Sequence, residues 1–413
     1  MSNSKYPHKN NKRFDILKSS ISDYIEAKDS IPTSIEIETN IISQKTKILK
    51  KLNSTQKDWE DCSWQLKNRF SNPKDIIDII GSAFVNEKTI EEISKNYRFA
   101  ISPYYLSLIE KNNPKCPIAL QSVPHCNELR TEGVLDPMDE EGTSVEEIIT
   151  RRYPDRLIIK VTNVCGMYCR FCQRRRLIGE NDLHCEKSQI EKAIKYVSEN
   201  KEIRDVLITG GDPLMISDEM IDWVLSELRS IDHVEVIRIG TRTPVTLPQR
   251  ITPKLVDILK KYHPLYLNTH FNHPREISLE SKRACELLAN AGIPLGNQMV
   301  LLNGINNDPF TVRKLNQSLL KIRVKPYYIF HPKAVKGTSH FWLPIQDGLD
   351  IMESLRGRTS GMAIPTYIVN APGGMGKTPI LPNYVLCLGK DKALLRNWEG
   401  KSFEIKNTPS DKE

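Results

Sequence analysis

Three thiols stand within eight residues of one another in the stretch VTNVCGMYCRFCQRRR, residues 161–176, and three arginines follow them directly. The thiols are Cys165, Cys169 and Cys172, spaced C-x3-C-x2-C; the arginines are Arg174, Arg175 and Arg176. Soft sulfur ligands held in one tight loop select zinc or iron–sulfur. A structural zinc site closes itself with four protein ligands, and the nearest candidates for the fourth are His184 and Cys185. Three thiolates on a cubane [4Fe–4S] cluster instead leave one iron without a protein ligand, free to coordinate a small molecule. The remaining cysteines, Cys62, Cys116, Cys126, Cys185, Cys285 and Cys387, are isolated. An odd total of nine, with no apolar export signal in the start MSNSKYPHKNNKRF, argues against a disulfide framework.

The second place with chemistry is YIVNAPGGMGKTP, residues 367–379. Ala371 through Thr378 looks like a phosphate-cradling P-loop, but such a loop must run into a helix whose first turn faces the phosphates. Pro379 and Pro382 follow here, and Pro382 would fall inside that helix. What remains is Lys377 on a glycine loop. A lysine amine in a partly desolvated pocket forms Schiff bases with carbonyl compounds, pyridoxal 5′-phosphate (PLP) being the commonest. PLP needs a cationic seat for its phosphate, and RRYPDR, residues 151–156, offers Arg152 and Arg156.

Positioning these groups requires a scaffold. Short apolar runs at 157–162, 206–209, 234–239, 265–269, 296–302 and 325–330 alternate with helical patterns at 187–198, 217–229, 253–262, 279–291 and 309–322. A further strand at 366–370 follows a helix at 345–356. This recurrence predicts βαβ units and a parallel sheet: an α/β fold, specifically an open partial (β/α)6 barrel, two units short of closure. Cys165, Gly210, Arg242, His270 and Gln298 all fall at strand C-terminal ends, where such folds place their chemistry. The division expected is an N-terminal helical region, 1–110, with amphipathic segments at 16–27, 54–70, 73–84 and 89–97. An irregular connector, 111–150, carries an acidic run at 136–141. The barrel spans 151–340 and a C-terminal region with Lys377 spans 341–413.

Composition bounds the rest. The 413 residues are 39% hydrophobic and 27% charged, and no apolar run reaches a membrane span, so a cytoplasmic protein without membrane contact is expected. The net charge of +8 comes from Lys and Arg spread among Asp and Glu, which does not point to nucleic acid.

In one order over residues 56–400 the chain carries RYPDR, CGMYCRFCQRRR, GGDPL, RIGTRTPV, LNTHFNHP, PLGNQMVLL, VKPYY, LRGRTSG and APGGMGKTP. This series resembles the lysine 2,3-aminomutase family of radical S-adenosylmethionine (SAM) enzymes. The resemblance implies that Cys165, Cys169 and Cys172 ligate a [4Fe–4S] cluster whose open iron chelates SAM. It implies that Gly210, Gly211 and Asp212 approach the methionine part of SAM, glycine lacking the Cβ that would keep backbone from a ligand. It makes Lys377 the PLP lysine, Arg156 with Arg152 the phosphate seat, and Arg174 the grip on the substrate α-carboxylate. Arg242, His270 and Gln298 would line the SAM or PLP pocket, and a reducing electron donor is required.

The sequence departs from the lysine-specific members at two positions. Where they hold the distal ammonium with two aspartates, this chain has Lys333 and Asn370. One charge pair at about 4 Å is worth roughly 4 kcal/mol at an effective dielectric near 20, enough to reverse a preference even when discounted severalfold. The expected substrate is therefore an acidic amino acid, L-glutamate, converted to β-glutamate; the alternative is lysine or another amino acid. A second departure is the tail at 406–413, which lacks the cysteines of the family's interchain zinc site, with Asn306–Asp308 at the internal position. A homo-oligomer without that zinc is expected.

Overall fold

The computed structural model describes residues 11–82, 84 and 86–407. The polar start, positions 83 and 85 within or beside the expected segment 73–84, and the tail from 408 lie outside the described residues. The apolar runs and the strand expected at 366–370 form β2 (Arg156–Lys160), β3 (Asp205–Thr209), β4 (Val236–Gly240), β5 (Leu265–Thr269), β6 (Leu295–Val300), β7 (Val324–Phe330) and β8 (Thr366–Asn370), and two strands that the apolar pattern did not mark, β1 (Ile149–Tyr153) and β9 (Lys377–Ile380), flank them. They pair in sequence order as one sheet. From β2 to β8 every pairing is parallel. Parallel neighbours need a crossover, and each has a helix: Lys187–Glu199, Asp218–Arg229, Pro253–Leu259, Leu279–Asn290, Pro309–Lys321 and Ile345–Leu355. The result is the expected open barrel of six β/α units, finished by the seventh parallel strand β8.

Local chemistry starts these helices where the sequence punctuates. Ser217, Thr252, Ser278 and Asp308 each accept a hydrogen bond from a backbone N–H of the first turn, and Pro253 and Pro309 occupy positions where no N–H is needed. Their inward stripes are apolar, as with Ile190, Ala193, Ile194 and Val197 on the first. Truncating a fully buried member such as Leu259 or Leu288 to alanine costs about 2–5 kcal/mol.

The sheet is capped at both edges by antiparallel strands, β1 on β2 and β9 on β8. The two edges meet without a ladder: the backbone N–H of Lys377 donates to the Tyr153 hydroxyl at 2.9 Å. Arg152, Tyr153 and the glycine loop therefore face one another across the barrel's open seam.

The connector expected to be irregular carries a short helix at Pro117–Ser122, and the N-terminal region is helical, as expected, with an additional helix at Glu38–Lys51 and a short one at Pro103–Ser107. It is pinned to the barrel by buried hydroxyls, Ser102 to the Thr246 carbonyl, Tyr104 to Ser278 and Tyr105 to Glu276. Beyond β9 lies a separate three-stranded antiparallel sheet, Val385–Leu388, Lys392–Arg396 and Ser402–Lys406. Among the described residues no helix is long and apolar enough to cross a membrane.

Candidate functional site

A cavity of about 350 Å³ opens at the C-terminal ends of the parallel strands. Its wall includes Cys165, Cys169, Cys172 and Arg174, then Gly210–Asp212, Arg242, His270 and Gln298, and finally Lys333, Asn370, Lys377 and Arg152. Residues that the sequence scatters over more than two hundred positions thus share one space. Of the expected site residues only Arg156 is not on this wall; it stacks on the Tyr153 ring at 3.8 Å and pairs with Asp155 at 2.9 Å.

The cysteine loop is braced from both sides. Arg242, buried, donates through Nη1 to Cys169 Sγ at 2.7 Å, while Nη2 is held by Glu276 and Gln121 and Nε by the His270 carbonyl. The Arg174 N–H donates to Cys172 Sγ at 3.3 Å. Behind the loop the fully buried Glu128 carboxylate takes Arg170 and Arg175, each at 2.6 Å. Burial drives the thiols of Cys165 and Cys172 up, with Asp212 and the neighbouring cysteines adding to the effect at Cys165. None of the three is in a disulfide. Among the described residues no group of three or more His, Cys, Asp or Glu converges on a single metal ion. Three unpaired thiols on one cavity wall, two of them receiving N–H donors that suit anionic sulfur, fit a polynuclear cluster. His184 and Cys185 are otherwise engaged, with Thr162 Oγ1 and the Lys160 carbonyl.

The glycines, which line the cavity, also meet a packing demand inside the protein. A Cβ on Gly210 would strike the Thr162 carbonyl oxygen, and one on Gly211 would lie 2.6 Å from that of Val164. They are glycine because this turn is pressed against the cysteine loop. Asp212 likewise has its carboxylate engaged within the protein, by the Thr241 hydroxyl at 2.6 Å and the N–H groups of Arg242 and Leu214. His270 is held neutral, its pKa driven well down by burial and then by Arg242, and it bonds Asn272.

At the opposite wall the glycine loop is lightly held. Gly373 (φ +65°), Gly374 (φ +74°) and Gly376 (φ +98°) adopt left-handed backbone that other residues avoid. Lys377 keeps solvent access, yet enough protein surrounds its amine that desolvation, then Arg238, Arg156 and Arg152, push it down to about 8. Its amine stands 5.4 Å from the centre of the Tyr153 ring, the ring on which Arg156 also stacks. Each of the three arginines also faces a carboxylate, Arg238 with Asp205 at 2.7 Å, Arg156 with Asp155 and Arg152 with Glu140.

Between the two walls lie residues that the sequence did not announce. Glu140, from the acidic run of the connector, is 2% exposed and grips Arg174 by Nε at 3.0 Å and Nη2 at 2.8 Å. It also faces Arg152 at 3.5 Å and Arg176 at 3.8 Å. Burial opposes its ionisation, but Arg174, Arg152 and Lys160 outweigh it and hold the carboxyl at about 2. Arg174 Nη1 is left uncommitted among the described residues. Lys160, at the end of β2, lines the same cavity with its pKa lowered by burial. Lys333 is half-buried, and its amine has no carboxylate within ion-pair distance among the described residues. Desolvation, then Arg174 and Lys377, lower its pKa to about 7. The Asn370 Nδ2 is buried with no hydrogen-bond partner, as are Asn268 Nδ2 and Thr269 Oγ1 on the same wall. Orphaned donors around a cation-rich cavity describe a receptor for an anion-bearing molecule. Asn306, at the position compared with the zinc site, is consumed by structure, bonding Leu302, Asn272 and Val300 backbone.

Comparison with known proteins agrees with this geometry. Residues 159–312 match the Radical SAM superfamily, and residues 352–409 match the family described as Lysine-2,3-aminomutase. The chain is 57% identical over 395 residues to glutamate 2,3-aminomutase of Clostridioides difficile (strain 630), covering 95% of this chain and 94% of that one. It is 49% identical over 345 residues to L-lysine 2,3-aminomutase of Clostridium subterminale, covering 83% of each. The same identity holds over 344 residues with L-lysine 2,3-aminomutase of Bacillus subtilis (strain 168), covering 83% of this chain and 73% of that one. The chain belongs to the lysine 2,3-aminomutase family of radical SAM enzymes.

Proposed function

We propose that this family member moves the amino group of L-glutamate between C2 and C3, interconverting L-glutamate and β-glutamate. The observation that carries the reading is the half-buried Lys333 amine, without a carboxylate partner among the described residues and with its pKa lowered to about 7, in one cavity with Arg174 and Lys377; a carboxylate bound beside it would restore the proton. A lysine substrate would place its own ammonium against it; a glutamate side chain brings the missing anion. The orphaned Asn370 Nδ2 gives that carboxylate a second donor. The higher identity to the glutamate-acting relative points the same way.

The chain's residues divide the work. Cys165, Cys169 and Cys172 would hold the [4Fe–4S] cluster, which would bind SAM. Lys377 holds PLP, with Arg152 and Arg156 at its phosphate. Bound together, these groups supply a hydrogen-abstracting radical and an electron sink for the migrating nitrogen. Arg174 takes the α-carboxylate, Glu140 fixing its plane so that the uncommitted Nη1 faces the ligand. Lys333 and Asn370 take the side-chain carboxylate, so the substrate is stretched between two anchors and its β-carbon is fixed between them. The amine of Lys377, with its pKa lowered to about 8, would be available in its neutral, nucleophilic form near neutral pH. The enclosed wall, with Phe171, Phe330 and Phe341 among its members, keeps water from the reacting carbons.

The test is anaerobic incubation of iron-reconstituted protein with SAM, PLP, a reductant and 13C-labelled L-glutamate. β-Glutamate in the NMR spectrum is expected; turnover of L-lysine to β-lysine with glutamate untouched would overturn the assignment.

A further inference from the structure

The cysteine loop has a second face. Between it and the N-terminal helices opens a cavity of about 770 Å³, and Cys169 lines both this cavity and the catalytic one. Its charged lining is Lys67, Arg69, Lys95, Arg98, Arg170, Arg175 and Arg176, set against Glu180. The counter-ions behind this lining do not neutralise it. Asp182 serves both Arg69 and Arg98, and Glu128 serves both Arg170 and Arg175, so each leaves a positive charge over. Arg176 is matched by Asp136. Lys67 and Lys95 stand exposed at the rim, without an ion pair among the described residues.

This basic face is wired to the cysteines. Arg69 Nη1 donates to the Cys165 carbonyl at 2.7 Å. Tyr168, between Cys165 and Cys169, is buried with Arg69 and Arg98 over its ring at 5.6 and 5.0 Å, and its hydroxyl donates to Asp182. The cluster needs an electron from outside the chain, and the catalytic cavity is where substrate and cofactors must sit. The basic cavity, which Cys169 lines from behind the loop, offers the electron a route that does not cross the catalytic cavity.

We propose that this basic cavity is the docking site of a small acidic one-electron carrier protein. The proposal rests on Cys165, Cys169 and Cys172 being the cluster ligands. In the step served, the reduced carrier loses one electron and the cluster gains it; no bond is made or broken and no proton moves. Charge complementarity at a small, polar contact is how short-lived electron-transfer partners find each other, and it acts chiefly on association rate.

The experiment uses the full chain, iron-reconstituted, with a reduced flavodoxin as the acidic carrier. Binding is followed by calorimetry and cluster reduction by stopped-flow absorbance with EPR. Lys67→Glu combined with Lys95→Glu is expected to lower affinity and the second-order reduction rate at least tenfold, with Lys67→Ala/Lys95→Ala falling between. The wild-type rate is expected to fall steeply with salt, while iron content and reduction by a small uncharged photoreductant stay at wild-type values in every variant. Unchanged carrier affinity and rate after charge reversal would overturn the proposal, as would an equal loss with the small photoreductant. So would charge-dependent self-association covering this face in sedimentation, or loss of oligonucleotide binding with carrier binding intact. Iron analysis separates the failures: a chain that takes up no iron contradicts the cluster reading beneath the proposal, whereas an iron-loaded chain indifferent to the reversal contradicts the docking site alone.

Discussion

The two walls of the catalytic cavity are built on opposite principles. The cysteine wall is held by buried charge: Glu128 against Arg170 and Arg175, and Glu276 against Arg242, which in turn bonds Cys169. The lysine wall is an exposed glycine loop, tied down by a few backbone bonds such as Ala371 to Gly376 and Gly373 to Pro137. A metal cluster demands a fixed set of donors, whereas a lysine proposed to bond and release a carbonyl cofactor needs freedom to move. The contrast teaches that rigidity here is local to the chemistry that requires it.

That contrast can be broken by mutation. Lys377→Ala should abolish turnover, by about a thousandfold or more, because the covalent anchor is gone. Its unfolding free energy should shift by no more than about 0.5 kcal/mol, as for an exposed side chain, read by denaturant titration. Glu128→Ala should do the reverse in kind. It strands two buried guanidinium groups at a cost of about 3–5 kcal/mol, and the expected readouts are a lowered denaturation midpoint and lost iron.

Glu140→Gln tests the seam between the walls. It removes the charge holding Arg174 and should raise KM for glutamate about tenfold to a hundredfold, one charged hydrogen bond being worth roughly 1.5–3 kcal/mol. Glu140→Asp should recover part of this, and iron content should not change. A smaller effect sharpens the picture of the lysine wall. The neutral amine is the bonding form, and its pKa of about 8 lies below that of a free lysine. PLP uptake by cofactor-free protein should therefore quicken as pH rises through 8 and level off above it, measured by absorbance. Smallest of all, Gly374→Ala forces a side chain onto left-handed backbone beside Thr143 and should cost about 1 kcal/mol.

Much of this was legible because strands and motifs are local. The run 265–269 became β5 unchanged, and the cysteine and glycine loops announced themselves by spacing. What stayed hidden was created by contact at a distance. Glu140 looked like one letter of a solvated acidic run until the connector folded it onto Arg174. Tyr153 was read only as part of RRYPDR, yet its hydroxyl joins the two edges of the sheet. The helix Glu38–Lys51 escaped notice because one of its three buried positions is Gln44, whose amide reaches the Ile109 carbonyl. The glycines of GGD were visible, but the backbone they press against was not.

The central claim is that the unpaired Lys333 ammonium chooses the substrate, and the discriminating measurement is kcat/KM for L-glutamate and L-lysine in one competition assay, for wild type and Lys333→Asp. The account predicts that wild type strongly favours glutamate and that Lys333→Asp lowers glutamate turnover at least a hundredfold while leaving iron and PLP content intact. A Lys333→Asp enzyme that keeps the wild-type preference for glutamate would contradict it.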